Sequence, residues 1–352
     1  MADPVHLSLR LDEPLDWDPD SERDGSDVLI EVRTGERISG TVEVTALEDL
    51  DFTSFRVGFC WHTEGKGNRA SGSGSAVSLV EDGFWRAGVQ ALFPFSLKAP
   101  WGPVSYAGKL LKVMWRLEAR VDRSMLQSDV RTAVPVRLTA DPEAELVDLG
   151  PKPQKRGEME AVKRGLGGVW VTLATLCLLG GVIFGASRGW DLERVESLLL
   201  VVFLAGGFLL MLLGIWGRLG RGKLGEPTVQ LSTTELHLGE AILFSVALRP
   251  DRRTELRSLD AILECEERVV HGHGQYRSHR RKVVYEKRLS LAQDLIVEPH
   301  RGLRRKGTLT LPEDGSPSFG APDNQVVWWL RFQGDIVGWP DWKEPFLLTV
   351  RP

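Results

Sequence analysis

The sequence predicts a mainly β protein: two β-sandwich domains separated by a two-helix transmembrane hairpin. Three observations carry this prediction. Short segments on both sides of the centre alternate apolar and polar residues with the period of a half-buried strand. Two long apolar runs lie between these segments. Finally, landmarks of the first segment recur in the second, which indicates an internal duplication.

The predicted boundaries divide the chain into consecutive parts. They are an N-terminal sandwich (1–148), a basic linker (149–164), a first transmembrane helix (165–187), an external turn (188–196), a second transmembrane helix (197–217), a second basic linker (218–227) and a C-terminal sandwich (228–352). The two apolar runs contain no charged residue over 23 and 21 positions. At about 1.5 Å per residue, either run could cross a hydrocarbon core of about 30 Å as a helix.

Charge predicts the orientation of this hairpin. Eight Lys and Arg flank the two runs, and two lie in the turn between them; positive residues near a span resist translocation. We therefore expect an integral protein of the inner or plasma membrane, with both sandwiches in the cytoplasm. Tryptophans near the ends of the runs are predicted interfacial anchors, because indole rings prefer the headgroup level. These tryptophans are Trp170, Trp190 and Trp216.

Composition argues against a nucleic-acid partner and a disulfide framework. Residues 1–148 hold 16 Lys and Arg against 25 Asp and Glu, whereas a nucleic-acid-binding domain is expected to be basic. Cys60, Cys177 and Cys265 lie in three separate segments, so they do not form a disulfide framework. The glycine-rich stretch 64–75 lacks the Gly-Lys-Ser/Thr ending of a phosphate-binding loop and is predicted to be a flexible hairpin loop. No cofactor is predicted.

Alternation predicts the strands of both segments. Val, Ile and Phe are frequent in them, and no helical period appears. The predicted strands of the first segment are residues 5–11, 28–32, 38–46, 52–61, 84–97, 113–121 and 134–138. The stretch 84–97 is either a strand pair or one long bent strand. The predicted strands of the second segment include residues 228–231, 241–248 and 258–264.

The duplication is visible in matched landmarks. GERISGTVEV from Gly35 matches GEAILFSVAL from Gly239, and a cysteine follows 25 residues after the first glycine and 26 after the second. The later landmarks of the first segment are Pro103, Ser105, Tyr106 and Trp115, aligned with Pro317, Ser318, Phe319 and Trp328. The spacing from Ser to Trp is ten residues in both segments, and two unrelated β-domains would seldom share such a register.

This pattern resembles the arrestin-like superfamily, which includes arrestin-domain proteins, a family of retromer subunits and bacterial sporulation-control proteins. The resemblance rests on the Gly-Glu before an alternating strand, on the cysteine-containing strand, and on Ser-Tyr-Ala-Gly (105–108) before a Trp-containing strand. It implies two sandwiches packed end to end, acting as adaptors that bind other proteins or membrane surfaces. The chain differs from the family in placing the two apolar runs where relatives have a short linker.

One cluster has the residue types of a metal site. His271, His273 and His279 lie in the stretch HGHGQYRSH near Cys265, and a His-x-His pair on one strand face can bind zinc. We favour a hairpin loop without a metal, because the matching loop of the first segment has no histidine. The three histidines are therefore weak candidates, and we expect neither a metal site nor an enzyme.

Two basic stretches are candidate membrane-surface contacts, with solvated loops as the alternative. They are Arg280, Arg281 and Lys282, and Arg304, Arg305 and Lys306. Glu264, Glu266 and Glu267 are expected to be charges at a strand end. A proline lies between Trp339 and Trp342 and interrupts the ladder there. We favour packing of these indoles in the core, with exposure of one of them as the alternative.

Together these observations predict a membrane-tethered cytoplasmic adaptor or scaffold that binds a protein partner through sheet edges and loops. Glycines in the apolar runs would permit close helix packing and a homodimer. Two alternatives stay open. One is a metal- or ligand-binding membrane sensor that uses the three histidines, and the other is an auxiliary subunit of a larger membrane complex.

Overall fold

The computed structural model describes residues 3–12, 30–123, 127–141, 205–206, 224–225, 227–299 and 301–352. In this part of the chain the architecture is mainly β and is compatible with two β-sandwiches in tandem. Each sheet takes its strands from one half of the chain only.

The first half forms strands β1 to β11. Their bounds are β1 Val5–Leu11, β2 Ile30–Arg33, β3 Arg37–Ala46, β4 Leu50–Phe52, β5 Ser54–Gly65, β6 Ser71–Val80, β7 Gly83–Trp85, β8 Gln90–Lys98, β9 Tyr106–Ala107, β10 Leu111–Asp122 and β11 Val130–Thr139. The smaller sheet has the order β1-β3-β8, and the larger has β2-β11-β10-β5-β6, with β9 attached to β10. Strands β4 and β7 form a separate pair.

The second half repeats the smaller and the larger sheet of this arrangement, and no counterpart of the β4–β7 pair lies among its described residues. Its bounds are β12 Thr228–Leu231, β13 Glu235–His237, β14 Ala241–Leu248, β15 Thr254–His271, β16 Ser278–Val297, β17 Leu303–Thr310, β18 Phe319–Ala321, β19 Asn324–Ile336 and β20 Trp342–Arg351. The smaller sheet has the order β12-β14-β17, and the larger has β13-β20-β19-β15-β16, with β18 attached to β19. The two halves therefore share one topology, as the predicted duplication requires.

Turn contacts are duplicated as well. The backbone amide of Ser105 donates to the Leu138 carbonyl at 2.8 Å, and the Leu138 amide donates to the Ser105 hydroxyl at 2.9 Å. Ser318 and Val350 make the same two bonds at 2.7 and 2.9 Å. Each serine thus ties the turn before the Trp-containing strand to the neighbouring strand.

The buried indoles of Trp115 and Trp328 complete the match. Trp115 Nε1 donates to the Pro103 carbonyl at 2.6 Å, and Trp328 Nε1 donates to the Ser316 carbonyl at 2.7 Å. A buried indole N–H needs such a partner. Pro103 therefore corresponds to Ser316, so its predicted match with Pro317 is wrong by one residue.

The predicted match between Cys60 and Cys265 is also wrong by one residue. Across the larger sheet, Trp115 pairs with Trp61, whereas the equivalent Trp328 pairs with Cys265. Trp61 is therefore the counterpart of Cys265. Cys60 lies on the opposite face of its strand, because neighbouring residues in a strand point to opposite faces.

Strand β6 begins inside the stretch 64–75 that was predicted to be a loop. Residues 71–75 belong to β6, and residues 71–73 pair with β5. Serine and glycine give no apolar alternation, so the pattern does not reveal a strand whose backbone is paired by its neighbour. Trp342 is buried, as the favoured core packing predicts, whereas Trp339 is 41% exposed, which is the alternative.

The helical part of the predicted fold class is wrong for the chain that the structure describes. Within the described residues, no helix is long and apolar enough to cross a membrane. The predicted spans, 165–187 and 197–217, lie outside these residues apart from 205–206, as do Trp170, Trp190 and Trp216. Apolar length is necessary for a span but does not by itself establish one. The fold class is corrected to mainly β, and the integral membrane location, which rested on the hairpin, is withdrawn.

Candidate functional site

The two halves of the chain meet through matching segments. We define the junction by loops 66–70 and 106–110 of the first half and by segments 265–272 and 319–324 of the second half. Tyr106 and Phe319 are equivalent, and each contacts the other half. The Phe319 ring packs edge to face on Trp61 at 5.9 Å between centroids, and the Tyr106 hydroxyl donates to Glu267. The junction therefore has an approximate twofold arrangement.

Glu267 anchors one side of the junction. Its exposed fraction is 0%, and it accepts three hydrogen bonds from the first half. Tyr106 Oη donates to Oε1 at 2.6 Å, the Lys109 amide donates to Oε1 at 2.9 Å, and the Leu110 amide donates to Oε2 at 2.6 Å. A buried carboxylate is costly unless it is satisfied in this way. Glu267 therefore ties the position of loop 106–110 to strand β15.

Two other titratable groups at the junction stay protonated at neutral pH. Burial, followed by the hydrogen bond to Glu267, raises the pKa of Tyr106 far above its usual range, so the phenol acts as a donor. Burial, followed by the charges of Glu267 and Glu266, raises the pKa of the Cys265 thiol to about 12. A thiol with such a pKa is a poor nucleophile. The junction thus has the chemistry of a structural contact.

Asn68 anchors the other side of the junction. Its backbone amide donates to the Val270 carbonyl at 2.8 Å. Its side chain donates to the Gly272 carbonyl at 3.0 Å and to Asp323 at 2.8 Å, and accepts from the Gly272 amide at 2.9 Å. Its carbonyl accepts from Asn324 Nδ2 at 2.6 Å. These bonds fix the loop 66–70 against the second half.

A small cavity lies between the two halves beside Tyr106 and Phe319. Its lining comes from equivalent segments of both halves, and its volume is about 20 Å³. The lining residues are Pro103, Val104, Tyr106, Pro317, Ser318, Phe319 and Pro352. Such a volume is sufficient for a single water, so this cavity is too small for an organic cofactor.

A charged cluster lies on the outer face of the larger second-half sheet. Arg268 donates to Glu266 Oε2 at 2.8 and 2.6 Å, and Arg331 bonds to Glu266 Oε1 and lies 2.9 Å from Glu264. Both guanidinium groups also lie over the Trp329 ring, at 5.0 and 5.8 Å. Both carboxylates are therefore already paired with arginines.

The surroundings of Glu264 and Glu266 shift the pKa values of the two carboxyl groups in opposite directions. Burial raises the pKa of Glu264, although Arg331 opposes the shift. Burial acts in the same direction on Glu266, but Arg268 and Arg331 outweigh it and hold the pKa of that carboxyl below its usual range. Ion-pair networks produce such shifts without catalysis. The prediction that Glu264, Glu266 and Glu267 are strand-end charges is wrong, because all three are buried within β15.

The candidate histidines do not converge on one point. All three are exposed. Val270 is in register with His279, and His271 is in register with Ser278. Residues in register share a face and successive positions alternate, so His271 and His279 lie on opposite faces of the hairpin. Among the residues that the structure describes, no group of three or more His, Cys, Asp or Glu side chains could hold a metal ion.

The two basic stretches lie on strands rather than in solvated loops. Arg280, Arg281 and Lys282 are in β16, and Arg304, Arg305 and Lys306 are in β17. Strand β16 approaches β17 at Leu291, whose carbonyl accepts from Arg305 Nε at 3.2 Å. Leu291 lies ten residues beyond Arg281, or roughly 33 Å along a strand. The structure therefore keeps the two basic stretches apart.

Strand β16 is an edge of the larger second-half sheet. It runs for 20 residues, and in the described part of the chain it pairs only with β15. Bulges interrupt it at Val284 and Leu291, which have no partner in the β15 register. The stretch Ser278–Val283 is uninterrupted and exposed. It is the longest unbroken exposed stretch of β16.

Sequence reasoning missed Glu267, Asn68 and Tyr106 as the residues that join the two halves. The inward position of Glu267 on an alternating strand was the available signal, since a carboxylate there needs partners from elsewhere. No protein-family model matches the chain, and no curated protein matches it either.

Proposed function

We propose that this chain is a non-enzymatic scaffold that holds two β-sandwiches in one relative orientation and binds a protein partner along the free edge of β16. The observation that carries the proposal is the exposed, uninterrupted stretch Ser278–Val283 of that edge. An unpaired strand edge offers backbone N–H and C=O groups that an extended segment of another protein can pair with.

A scaffold requires fixed geometry, and the junction supports it. The Glu267 carboxylate and the Asn68 amide are each engaged by backbone groups of the other half. Loss of either contact would leave buried polar groups without partners. The edge of β16 is therefore presented at a defined position relative to the first half.

We also infer that the two sandwiches are arrestin-like. The shared strand order and the paired serine and tryptophan contacts of the two halves support this inference. Ser105 and Trp115 are among the residues on which the resemblance was based. An adaptor role is in keeping with a junction whose carboxylates and thiol are engaged or protonated rather than poised for reaction.

Site-specific photo-cross-linking tests the proposed function. A photoreactive amino acid is placed at Val283, which is 37% exposed on β16, in cells that contain the natural partners. We expect a specific protein adduct whose cross-linked peptide is an extended segment. With the purified partner, amide hydrogen exchange of residues 278–283 should slow at alternate positions, since a paired edge protects every second amide.

The control position is Leu92 on β8, which is 68% exposed and belongs to the first half. We expect no adduct there. Adducts only at Leu92, or unchanged hydrogen exchange in residues 278–283 after partner binding, would show that the edge of β16 is not the binding site.

A further inference from the structure

We infer that the partner segment is an acidic strand, with consecutive carboxylates that lie opposite Arg280, Arg281 and Lys282 of β16. This inference rests on the proposed function and specifies the chemistry of the partner. It rests on the charges of Ser278–Val283, on the lack of ion pairs between these charges and other described residues, and on the register of the sheet.

Three consecutive cations occupy the middle of the uninterrupted stretch. Arg280, Arg281 and Lys282 are exposed, and none of them forms an ion pair or side-chain hydrogen bond with another described residue. The next arginine along the strand behaves differently. Arg288 lies 3.7 Å from Glu286 and 3.8 Å from Asp260. Cations without a direct ion pair to another described residue are thus concentrated at Arg280–Lys282.

The register shows where these cations project. Arg280 is opposite Val269, Arg281 is opposite Arg268, and Lys282 is opposite Glu267. Residues in register share a face of the sheet, so the cations alternate between its two faces. An added strand must therefore carry carboxylates at consecutive positions to meet all three.

The carboxylates nearest to these cations are already engaged. Glu267 accepts its hydrogen bonds from the first half, and Glu266 is shared by Arg268 and Arg331. Arg281 therefore lies opposite another arginine. Its charge also reaches Glu264, but that carboxyl already lies 2.9 Å from Arg331. An incoming carboxylate directly opposite it would replace this like-charge contact by an attractive one.

Two features of the chain define the length of the docked segment. The turn Gly274–Tyr276 precedes the stretch, and the bulge at Val284 ends it. A bulge disrupts the ladder and bends the strand. The docked strand therefore pairs with about six residues, Ser278–Val283. The last of them, Val283, favours an apolar neighbour next to the carboxylates.

Charge also argues against a second copy of the same strand. If Ser278–Val283 paired with itself, in either direction within this stretch, it would place cations or His279 opposite cations. Like charges directly opposite each other are destabilising, and edge lysines and arginines are a common protection against self-pairing. An acidic strand from another protein meets no such repulsion.

Peptide binding to the purified full-length chain tests the inference. The probe is a fluorescein-labelled peptide of sequence TVEEEVT, which reads identically in both strand directions, and binding is followed by fluorescence anisotropy. We expect saturable binding that weakens with added salt. The Arg280→Glu/Arg281→Glu variant should bind at least tenfold more weakly, and the swapped peptide TVKKKVT should prefer that variant. A backbone N-methylated TVEEEVT should not bind, because it cannot pair with the edge.

The matched control is Arg304→Glu/Lys306→Glu on β17, which changes net charge equally at a distant edge and should leave the affinity unchanged. Circular dichroism and urea unfolding check that both variants fold. Equal binding of TVEEEVT to the natural chain and the β16 variant would overturn the inference, as would the absence of binding. Arginine-dependent binding to anionic phospholipid vesicles without peptide binding would overturn it in favour of a lipid surface. In each of these cases an adduct at Val283 would still uphold the proposed function, and its loss would refute that function separately.

Discussion

The two halves of this chain share a strand order but differ at the surfaces where they meet other groups. Buried serine and tryptophan contacts are nearly identical in distance in both halves. The junction and the sheet edges differ. Both sandwiches therefore hold their turns with the same local hydrogen bonds, whereas the surfaces through which they contact other groups differ between the halves.

Position 63 and its counterpart, position 267, show this difference clearly. Both are opposite a valine of the Trp-containing strand, Val113 or Val326. Thr63 accepts a hydrogen bond from the amide of Ala70 within its own half, at 2.8 Å. Glu267 instead takes its donors from the other half. One inward polar position thus closes a local loop in the first sandwich and joins the halves in the second.

The edge strands of the two larger sheets, β6 and β16, also differ in length and composition. β6 is 10 residues long and consists mainly of small residues, SGSGSAVSLV, whereas β16 is 20 residues long and carries the cations. The β6 edge also lies near β8, where the Ser75 hydroxyl donates to the Lys98 carbonyl. This difference favours β16 over β6 as the edge for the proposed partner binding.

Substitution of the inward polar residues, Glu267 and Thr63, should give the largest difference between the halves in the free energy of unfolding. Glu267→Leu leaves two backbone amides and the Tyr106 hydroxyl without their acceptor, so we expect a loss of about 3 kcal/mol in the free energy of unfolding. Thr63→Val removes one acceptor and should cost about 1 kcal/mol. Urea unfolding followed by tryptophan fluorescence measures both. Equal losses would mean that the junction does not depend on Glu267.

The tryptophans should behave alike, because their surroundings are duplicated. Trp115→Phe and Trp328→Phe each remove an indole N–H and leave a buried carbonyl unpaired, which should cost about 2 kcal/mol in either half. Urea unfolding of the two variants provides the measurement. A clear difference between the two costs would show that the halves are not equivalent at this turn.

Substitution of the glycines that precede β3 and β14 should give a smaller difference in stability between the halves. Gly35 and Gly239 have φ of 78° and 80°, where a side chain is strained. A Cβ at Gly35 would lie 2.6 Å from the Trp101 ring, whereas one at Gly239 would lie 3.1 Å from the flexible Glu313 side chain. We expect Gly239→Ala to cost about 1 kcal/mol and Gly35→Ala about 2 kcal/mol. Thermal unfolding of both variants tests this order.

The smallest expected effect is a pH dependence that belongs to the second half. The hydrogen bond from Asn68, followed by Arg277, lowers the pKa of Asp323, whose counterpart in the first half is Leu110. Because the folded pKa is depressed, this stabilisation is present above the ordinary Asp pKa of about 3.9 and is lost as pH falls through the lower folded value.

Unfolding measured between pH 6 and about pH 2 should therefore show a shallower acid loss for Asp323→Asn than for the natural chain. Leu110→Asn serves as the matched control, and its acid slope should equal that of the natural chain. The same slope in all three proteins would show that Asp323 does not contribute.

Much of the β architecture was predictable from the sequence because strand alternation is a local signal. The strand 5–11 and the strand 241–248 were predicted with the bounds that the structure has. The equal spacing from Ser105 to Trp115 and from Ser318 to Trp328 revealed the duplication, since each pair spans one turn and one strand.

The errors share a physical cause. A strand alternates with period two, so a one-residue shift in alignment moved Cys60 to the wrong face of its sheet relative to Cys265. Apolar length was interpreted as a pair of membrane helices, although it establishes only composition. Glu267 was assigned to a strand end because its charge gave no sign of the donors that lie 157 to 161 residues away in the chain.

The sequence by itself determined the mainly β class and the repeat, because both are visible in the pattern of neighbouring residues within one strand or one turn. Only the tertiary structure decided which charges are buried, which strand edge is free and how the halves join. Those properties depend on register and on contacts between distant segments, and both remain undefined until the sheets have formed.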